Sequence, residues 1–181
     1  MTDQQNADAD QAAWNATQTP PPDIGVDELT AYLKSLGISA TAIRYFADPY
    51  DPITPDWIKS NLAPLWKSEV NRLGLNNVKA ESPEDGIMCV EFARGCAWHG
   101  QVLYKKAHGG RAGAIFEFAY DATGIGEHDI IGCVWRNPDR TLSIAWFEPQ
   151  PTVTTGGFAE EVCKPMTLTP DEIASATDNC F

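Results

Sequence analysis

The sequence predicts an α+β protein built on an antiparallel sheet of about five strands within residues 87–147. Three observations lead to this class. Residues 87–147 are rich in β-branched and aromatic side chains that alternate roughly with polar positions, as strands do. Two earlier segments have the apolar spacing of helices, which we expect to cover one face of the sheet. A short helix is predicted near the C-terminus.

A chain of 181 residues with 43% hydrophobic residues is long enough to bury one core. Residues 1–22 are polar and end in three prolines, so we expect a disordered tail there and a single domain over residues 23–181. The N-terminus lacks the basic and apolar regions of a signal peptide, and no segment has the apolar length of a membrane span. The five cysteines have no framework spacing, which favours a reduced, cytoplasmic protein.

The first predicted helix ends at Gly37, and its apolar residues recur on one face at Val26, Leu29, Leu33 and Leu36. A second helix begins at Thr54-Pro55, where threonine caps the helix and proline suits its first position, and it ends at Gly74. Pro64 lies inside this helix and predicts a kink or break there. Thr169–Glu172 repeats the threonine cap, adds the acid of a capping box and predicts the last helix.

Glycine and proline divide the strand-rich region. Gly109-Gly110 and Asn137-Pro138-Asp139 are typical of hairpin turns, and a longer loop follows Ala122. The predicted strands are Ile87–Ala93, Trp98–Lys106, Ala114–Tyr120, Ile130–Arg136 and Leu142–Phe147. By alternation, one face of the sheet is a wall of large apolar side chains for the helices to cover, and the other mixes polar and apolar residues.

The mixed face would place Glu91, His99 and Glu117 on one surface. Carboxylates and an imidazole exchange protons, so these three residues are candidates for a general acid–base site. Cys96 precedes His99 by three residues beside a glycine turn and is the candidate nucleophile outside that site. The simpler interpretation, which we favour here, is a half-solvated sheet face with cross-strand ion pairs.

Four residues of the types that bind zinc occur in this region: Cys89, Cys96, His99 and His108. No Cys-x-x-Cys pair is among them to anchor a zinc site. The loop Asp121–Asp129 has carboxylates for calcium but not the order of an EF-hand. Gly124-Ile125-Gly126 lacks the third glycine of a dinucleotide fingerprint. We therefore predict no metal ion and no cofactor.

The chain is strongly acidic, with 13 Lys and Arg against 25 Asp and Glu, a formal net charge of −12 and a pI near 4.5. Such a field repels nucleic acids and anionic membranes and attracts basic proteins. After residue 112 the only basic side chains are Arg136, Arg140 and Lys164. We expect the acids of this part to bind a basic partner: Glu127, Asp129, Asp139, Glu148, Glu160 and Glu161.

Since no catalytic motif stands out, the composition favours a small acidic binding factor, of the inhibitor or immunity type, that occludes a basic surface of a partner protein. One alternative is a small enzyme or ligand-binding domain that uses Glu91, His99 and Glu117 in a polar pocket on the sheet. Another is a chaperone-like or structural dimer that uses an exposed sheet face.

Overall fold

The computed structural model describes residues 23–44, 47–75, 89–153 and 159–180. The predicted disordered tail lies outside these ranges, as do residues 76–88, which include the start of the first predicted strand. Within them the chain is an α+β protein with a mainly antiparallel sheet, as the sequence predicts. In the same ranges no helix is long and apolar enough to cross a membrane.

The first helix, α1, spans Val26–Ser35, and the predicted apolar stripe is its buried face. Asp27 and Glu28 lie in its first turn, where carboxylates suit the positive end of the helix dipole. Leu29 and Leu33 have no exposed surface and hold the helix against the sheet. A short strand, β1, follows at Ile43–Arg44.

The second predicted helix has three parts: α2 (Pro55–Trp57), a π-helical turn (Ile58–Leu62) and α3 (Ala63–Leu73). The Oγ1 of Thr54 accepts the N–H of Trp57 at 3.2 Å, which is the predicted N-cap. Pro64 has no N–H for the preceding turn, and the widened π turn accommodates this loss. This turn is the irregularity that the proline predicts.

A 19-residue helix, α4 (Cys89–Ala107), occupies most of the segment in which the sequence predicts the first two strands, and those two strand predictions are wrong. Aromatic and branched residues suggested strands, but the buried positions recur every three or four residues: Phe92, Ala93, Cys96, Ala97, Gly100 and Tyr104. The small residues among them bring the helix close to the sheet, since a Cβ on Gly100 would lie 2.8 Å from Ile115.

The other three predicted strands are confirmed as β2 (Ile115–Ala122), β3 (Gly126–Arg136) and β4 (Leu142–Glu148). They form consecutive antiparallel hairpins, with Ile131 opposite both Glu117 and Phe147. Because β3 begins at Gly126, the predicted long loop after β2 is a tight turn.

The remaining elements are short: β5 (Thr152–Val153), β6 (Ala159–Glu161), β7 (Lys164–Met166), α5 (Pro170–Ala174) and β8 (Asp178–Cys180). In the sheet the strand order is β1-β8-β2-β3-β4-β7, with only β1 and β8 parallel, and β5 pairs with β6 separately. The capping box between Thr169 and Glu172 is present at α5, as predicted.

Helices lie on both faces of the sheet. The prediction that the two N-terminal helices cover the same face is therefore wrong. On the α1 face, Leu29 and Leu33 pack with even-numbered strand residues: Phe116, Phe118, Tyr120, Ile130 and Trp146. On the other face, residues of the π turn, α3 and α4 pack with odd-numbered ones: Ile115, Ile131, Cys133 and Phe147. Strand residues alternate between faces, so both sides of the sheet are core.

Candidate active site

Cys89 lies in the first described turn of the long helix α4 and is half-buried. A partly exposed thiol can reach a substrate, whereas a fully buried one cannot. The position of Cys89 in the fold therefore permits nucleophilic chemistry.

His128 on β3 and Glu148 at the end of β4 form a close pair. The imidazole Nε2 lies 2.8 Å from Glu148 Oε2, and both side chains are mostly buried, with 14% and 22% exposed. The ring of Tyr120 packs edge-on against the imidazole, with 5.9 Å between ring centroids. Glu148 thus orients the histidine, and Tyr120 limits its movement.

His128 also interacts with the side chain of Cys89. The interactions with Cys89 and Glu148 raise the pKa of His128 to about 10, although burial of the ring opposes the shift. Nε2 is bonded to Glu148, which leaves Nδ1 for another partner. The histidine therefore lies between a cysteine and a glutamate.

Two further hydrogen bonds hold Glu148 and the residue that follows it in place. Its second carboxylate oxygen, Oε1, accepts the backbone N–H of Gln150 at 2.9 Å. The indole of Trp66 on α3 donates to the carbonyl of Pro149 at 2.8 Å, in a buried contact. Both oxygens of Glu148 are thus engaged, and α3 holds the end of β4 that carries this residue.

A second carboxylate approaches the cysteine. The Cys89 thiol donates to Asp129 Oδ2 at 3.4 Å, and Asp129 is only 6% exposed. Burial raises the pKa of Asp129 above its ordinary value, the hydrogen bond from Cys89 opposes this shift, and the charges of Glu117 and Glu127 add to it. Cys89 therefore has two acceptors for one proton.

Three other cysteines have different surroundings. Cys96, Cys133 and Cys163 are buried, and the Cys96 and Cys163 sulfurs lie 3.6 Å apart as free thiols. Burial raises the pKa of Cys96 and of Cys133 well above the ordinary value. Among these four cysteines, only Cys89 combines access to solvent with an imidazole partner.

The predicted catalytic residues do not form a site. Glu91 and His99 lie on α4 rather than on a strand, because that segment is a helix. His99 Nδ1 bonds the carbonyl of Gly95 at 2.8 Å, and its ring packs on Trp66.

Glu117, the third member of the predicted group, is on β2, and its two oxygens accept hydrogen bonds from Arg94 Nε and Nη2, each at 3.0 Å. Cys96, the predicted nucleophile, faces Cys163 inside the core. The prediction that Glu91, His99 and Glu117 share a sheet face is therefore wrong.

Of the predicted partner-binding acids, Asp129 is buried and Glu148 is mostly buried, so neither offers an exposed carboxylate. Both belong to the surroundings of Cys89. The other four are at exposed positions: Glu127, Asp139, Glu160 and Glu161. For these the partner-binding role stays a prediction.

The loop considered for calcium is the β2–β3 turn, and with α5 it lines a cavity of about 330 Å³. Both Glu172 oxygens there are occupied, since they accept backbone N–H groups of Thr123 and Thr169. Within the described residues no group of three or more His, Cys, Asp or Glu side chains is arranged to hold a metal ion.

No family model matches the sequence, and no curated protein sequence is significantly similar to it. A solved structure of a PSL1a–E64 complex shares its fold; it is 17% identical with a TM-score of 0.55, and the match covers 88% of this chain and 50% of that chain. A second similar structure is a Polyporus squamosus lectin bound to a human-type influenza-binding epitope, at 18% identity and TM-score 0.48, covering 84% and 48%. The chain thus spans about half the length of these proteins.

Sequence reasoning missed the Cys89–His128–Glu148 group because it assigns all three residues to the wrong surroundings. Alternation places Cys89 inside a strand, His128 falls in the loop Asp121–Asp129 that was considered only for calcium, and the charge pattern places Glu148 among surface acids. One signal was available. Helical spacing of the small and aromatic residues after Cys89 predicts a buried helix, and Cys89 then stands at its start.

Proposed function

We propose that this protein is a cysteine-dependent hydrolase that cleaves amide or ester bonds through a thioester intermediate. In this proposal Cys89 is the nucleophile, His128 is the general base and acid, and Glu148 orients the imidazole. The observation that carries the proposal is that a partly exposed thiol, Cys89, lies beside the hydrogen-bonded pair His128–Glu148.

The first half-reaction transfers the acyl group to the enzyme. His128 is protonated in the resting site, and the Cys89 sulfur attacks the substrate carbonyl carbon as the thiolate of this pair to form a tetrahedral oxyanion. As the intermediate collapses, the bond to the leaving group breaks and His128 donates the proton to the departing amine or alcohol. The product is an acyl thioester on Cys89, with a neutral imidazole beside it.

The second half-reaction restores the enzyme. His128 removes a proton from water, the oxygen attacks the thioester carbonyl, and the carbon–sulfur bond breaks to release the acid. The sulfur leaves as the thiolate and His128 keeps the proton taken from water, which restores the thiolate–imidazolium pair. Throughout both steps, Glu148 keeps Nε2 hydrogen-bonded, so that the other nitrogen stays directed at the sulfur.

The start of α4 also offers donors for the oxyanion. Amide N–H groups of a first helical turn point outward along the helix axis and carry partial positive charge. A carbonyl oxygen that develops negative charge next to Cys89 would lie in their field. We include these amides in the proposal as the oxyanion-stabilising group.

The likeness to the PSL1a–E64 complex bears on the fold, and it covers most of the present chain. At 17% identity it supports a common fold alone, so the catalytic role of Cys89 rests on its own geometry. E64 is nevertheless a compound to test on this protein, since it is the ligand named for that complex. A cytoplasmic location, which the sequence favours, belongs to the same proposal because a reducing compartment keeps this thiol free.

The proposal predicts a burst of p-nitrophenolate when the protein meets p-nitrophenyl acetate, because acylation of Cys89 precedes hydrolysis. We expect one equivalent of product in the burst, and acetylation of Cys89 in peptide mapping by mass spectrometry. Cys89→Ala removes the burst. His128→Ala lowers the acylation rate about 100-fold or more, the contribution of a positioned general base, and Glu148→Gln lowers it less.

Cys96→Ala is the matched control, because it removes a buried thiol from the same helix away from His128. It should retain the burst. Peptide mixtures with fluorescent leaving groups extend the assay to amides, and E64 and iodoacetamide extend it to labelling of the thiol. A burst that survives in Cys89→Ala, or an adduct found mainly on another cysteine, would contradict the proposal.

A further inference from the structure

We propose that Asp129 is a further residue of this site, whose carboxylate holds the proton on the Cys89 sulfur and so opposes formation of the thiolate–imidazolium pair. The inference rests on the proposed function and concerns its regulation. It is carried by the thiol–carboxylate contact of 3.4 Å and by the burial of Asp129.

The first argument concerns the single proton of the thiol. A thiol has one hydrogen to donate; that of Cys89 points to Asp129 at 3.4 Å, and His128 also interacts with the Cys89 side chain. Donation to His128 leads to proton transfer and to the reactive thiolate. Donation to Asp129 keeps the sulfur neutral, because a hydrogen bond made by the protonated form favours that form. The two neighbours on β3 therefore favour opposite states of Cys89.

The second argument concerns charge. Asp129 is 6% exposed, so water screens its carboxylate poorly. If Cys89 became a thiolate, two negative charges would face each other at hydrogen-bonding distance, and a like charge at that separation disfavours ionisation. Within the described residues, Cys89 is the only side chain that gives the Asp129 carboxylate a hydrogen bond. The carboxylate is therefore directed at the nucleophile rather than at a structural partner.

The other charged groups around Asp129 make this opposition depend on pH. Cys89 faces it from α4, Glu117 from β2, and Glu127 and His128 from β3. Glu117 and Glu127 favour the neutral form of Asp129, while His128 and the thiol favour its anion. As the pH falls and Asp129 takes up a proton, the repulsion at the sulfur disappears. Protonation of Asp129 therefore allows Cys89 to stay reactive under mildly acidic conditions.

The test measures the rate of Cys89 alkylation by iodoacetamide as a function of pH, with the adduct located by peptide mapping. In Asp129→Asn the like charge is gone and an amide N–H can donate to the sulfur. We expect the acidic limb, which is the low-pH part of the plot of alkylation rate against pH, to move to lower pH by about one pH unit. At a given pH on this limb, the variant then reacts about tenfold faster than the wild type. Asp129→Ser, which also removes the charge, is the second variant in case the amide is not accommodated.

Glu117→Gln is the matched control, since Glu117 is equally buried, lies on the neighbouring strand and bonds Arg94 instead of Cys89. Because the charge of Glu117 favours the neutral form of Asp129, its removal should leave the limb in place or move it slightly to higher pH, opposite to the Asp129 variants. An unchanged limb in both Asp129 variants, or a movement to higher pH, overturns the role of Asp129.

His128→Ala separates this inference from the proposed function. If that variant keeps the wild-type rates while Asp129→Asn still moves the limb, the hydrolase proposal fails and the role of Asp129 at the sulfur stands. If His128→Ala loses reactivity while both Asp129 variants match the wild type, the hydrolase proposal stands and this inference fails.

Discussion

At the scale of single residues, the site depends on a histidine that is held between two acidic partners. His128 bonds Glu148 at 2.8 Å and also meets the thiol of Cys89. Neither partner is distinctive in the sequence. Their combined effect is large because the pair is mostly buried, and a hydrogen bond to a charged group is stronger where water is excluded.

The same pair predicts a pH-dependent contribution to stability. The pKa of His128 is about 10 in the folded protein and about 6.5 when unfolded, so the folded state binds the proton more tightly. The stabilisation is therefore complete below about pH 6.5 and is lost as the pH rises through 10. At pH 6 we expect Glu148→Gln to lower the free energy of unfolding by about 1.5–3 kcal/mol, the usual value of a hydrogen bond to a charged group.

Urea unfolding of wild type and Glu148→Gln at pH 6 and near pH 10.5 checks this prediction. The difference between the two proteins should shrink at the higher pH, because the imidazole is then neutral in both. Glu160→Gln, at an exposed position on β6, should show little difference at either pH. A wild-type advantage that stays constant over this range would rule out the charged pair as its source.

At the scale of secondary structure, β3 matters most because it is one of the two central strands of the sheet and carries His128 and Asp129. Its neighbours approach it closely at Gly132, where Phe116 on β2 and Trp146 on β4 lie opposite on either side. A Cβ on Gly132 would lie 2.5 Å from the Phe116 ring and 2.9 Å from the Trp146 ring. The glycine is therefore required by packing across the sheet.

We predict that Gly132→Ala lowers the free energy of unfolding by about 1–3 kcal/mol, the typical cost of overpacking a core. Thermal and urea unfolding measure the effect. Glu127→Ala, at an exposed position of the same strand, is the matched control and should change stability by less than about 0.5 kcal/mol. Equal stabilities of Gly132→Ala and wild type would mean that the two aromatic rings move aside freely.

At the scale of the whole molecule, the sheet is covered on both faces, and the acidic side chains remain outside. The four exposed acids of the predicted partner-binding set are not engaged in the cysteine site: Glu127, Asp139, Glu160 and Glu161. A net charge of −12 surrounds this surface. The expectation of a basic partner thus stays open beside the hydrolase proposal, and it extends to basic substrates.

The charge predicts salt-dependent association with cations. A fluorescent oligolysine peptide should associate with the protein at least about tenfold faster at low than at high salt, because screening weakens electrostatic steering. Stopped-flow mixing over a series of NaCl concentrations measures the rates. A neutral peptide of the same length is the control and should show little dependence. If both peptides respond equally to salt, the acidic surface does not guide partners.

By itself, the sequence determined those elements whose signals are local. The stripe at Leu29 and Leu33, the caps at Thr54 and Thr169, and the strands β2 to β4 follow from spacing and turn chemistry, and the structure has them as predicted. Residues 89–107 were predicted as strands but form the helix α4. This helix is buried against the sheet, and a buried helix carries the same aromatic residues and cysteines as a buried strand, so composition did not distinguish the two.

Only the tertiary structure decided the candidate site. Cys89, His128 and Glu148 are far apart in the chain and belong to a helix and two strands, and no local pattern joins them. Their meeting depends on how α4 packs against the sheet and on the register that places the end of β4 beside β3. Those are long-range properties of packing and strand pairing, which the spacing of residues along one segment does not contain.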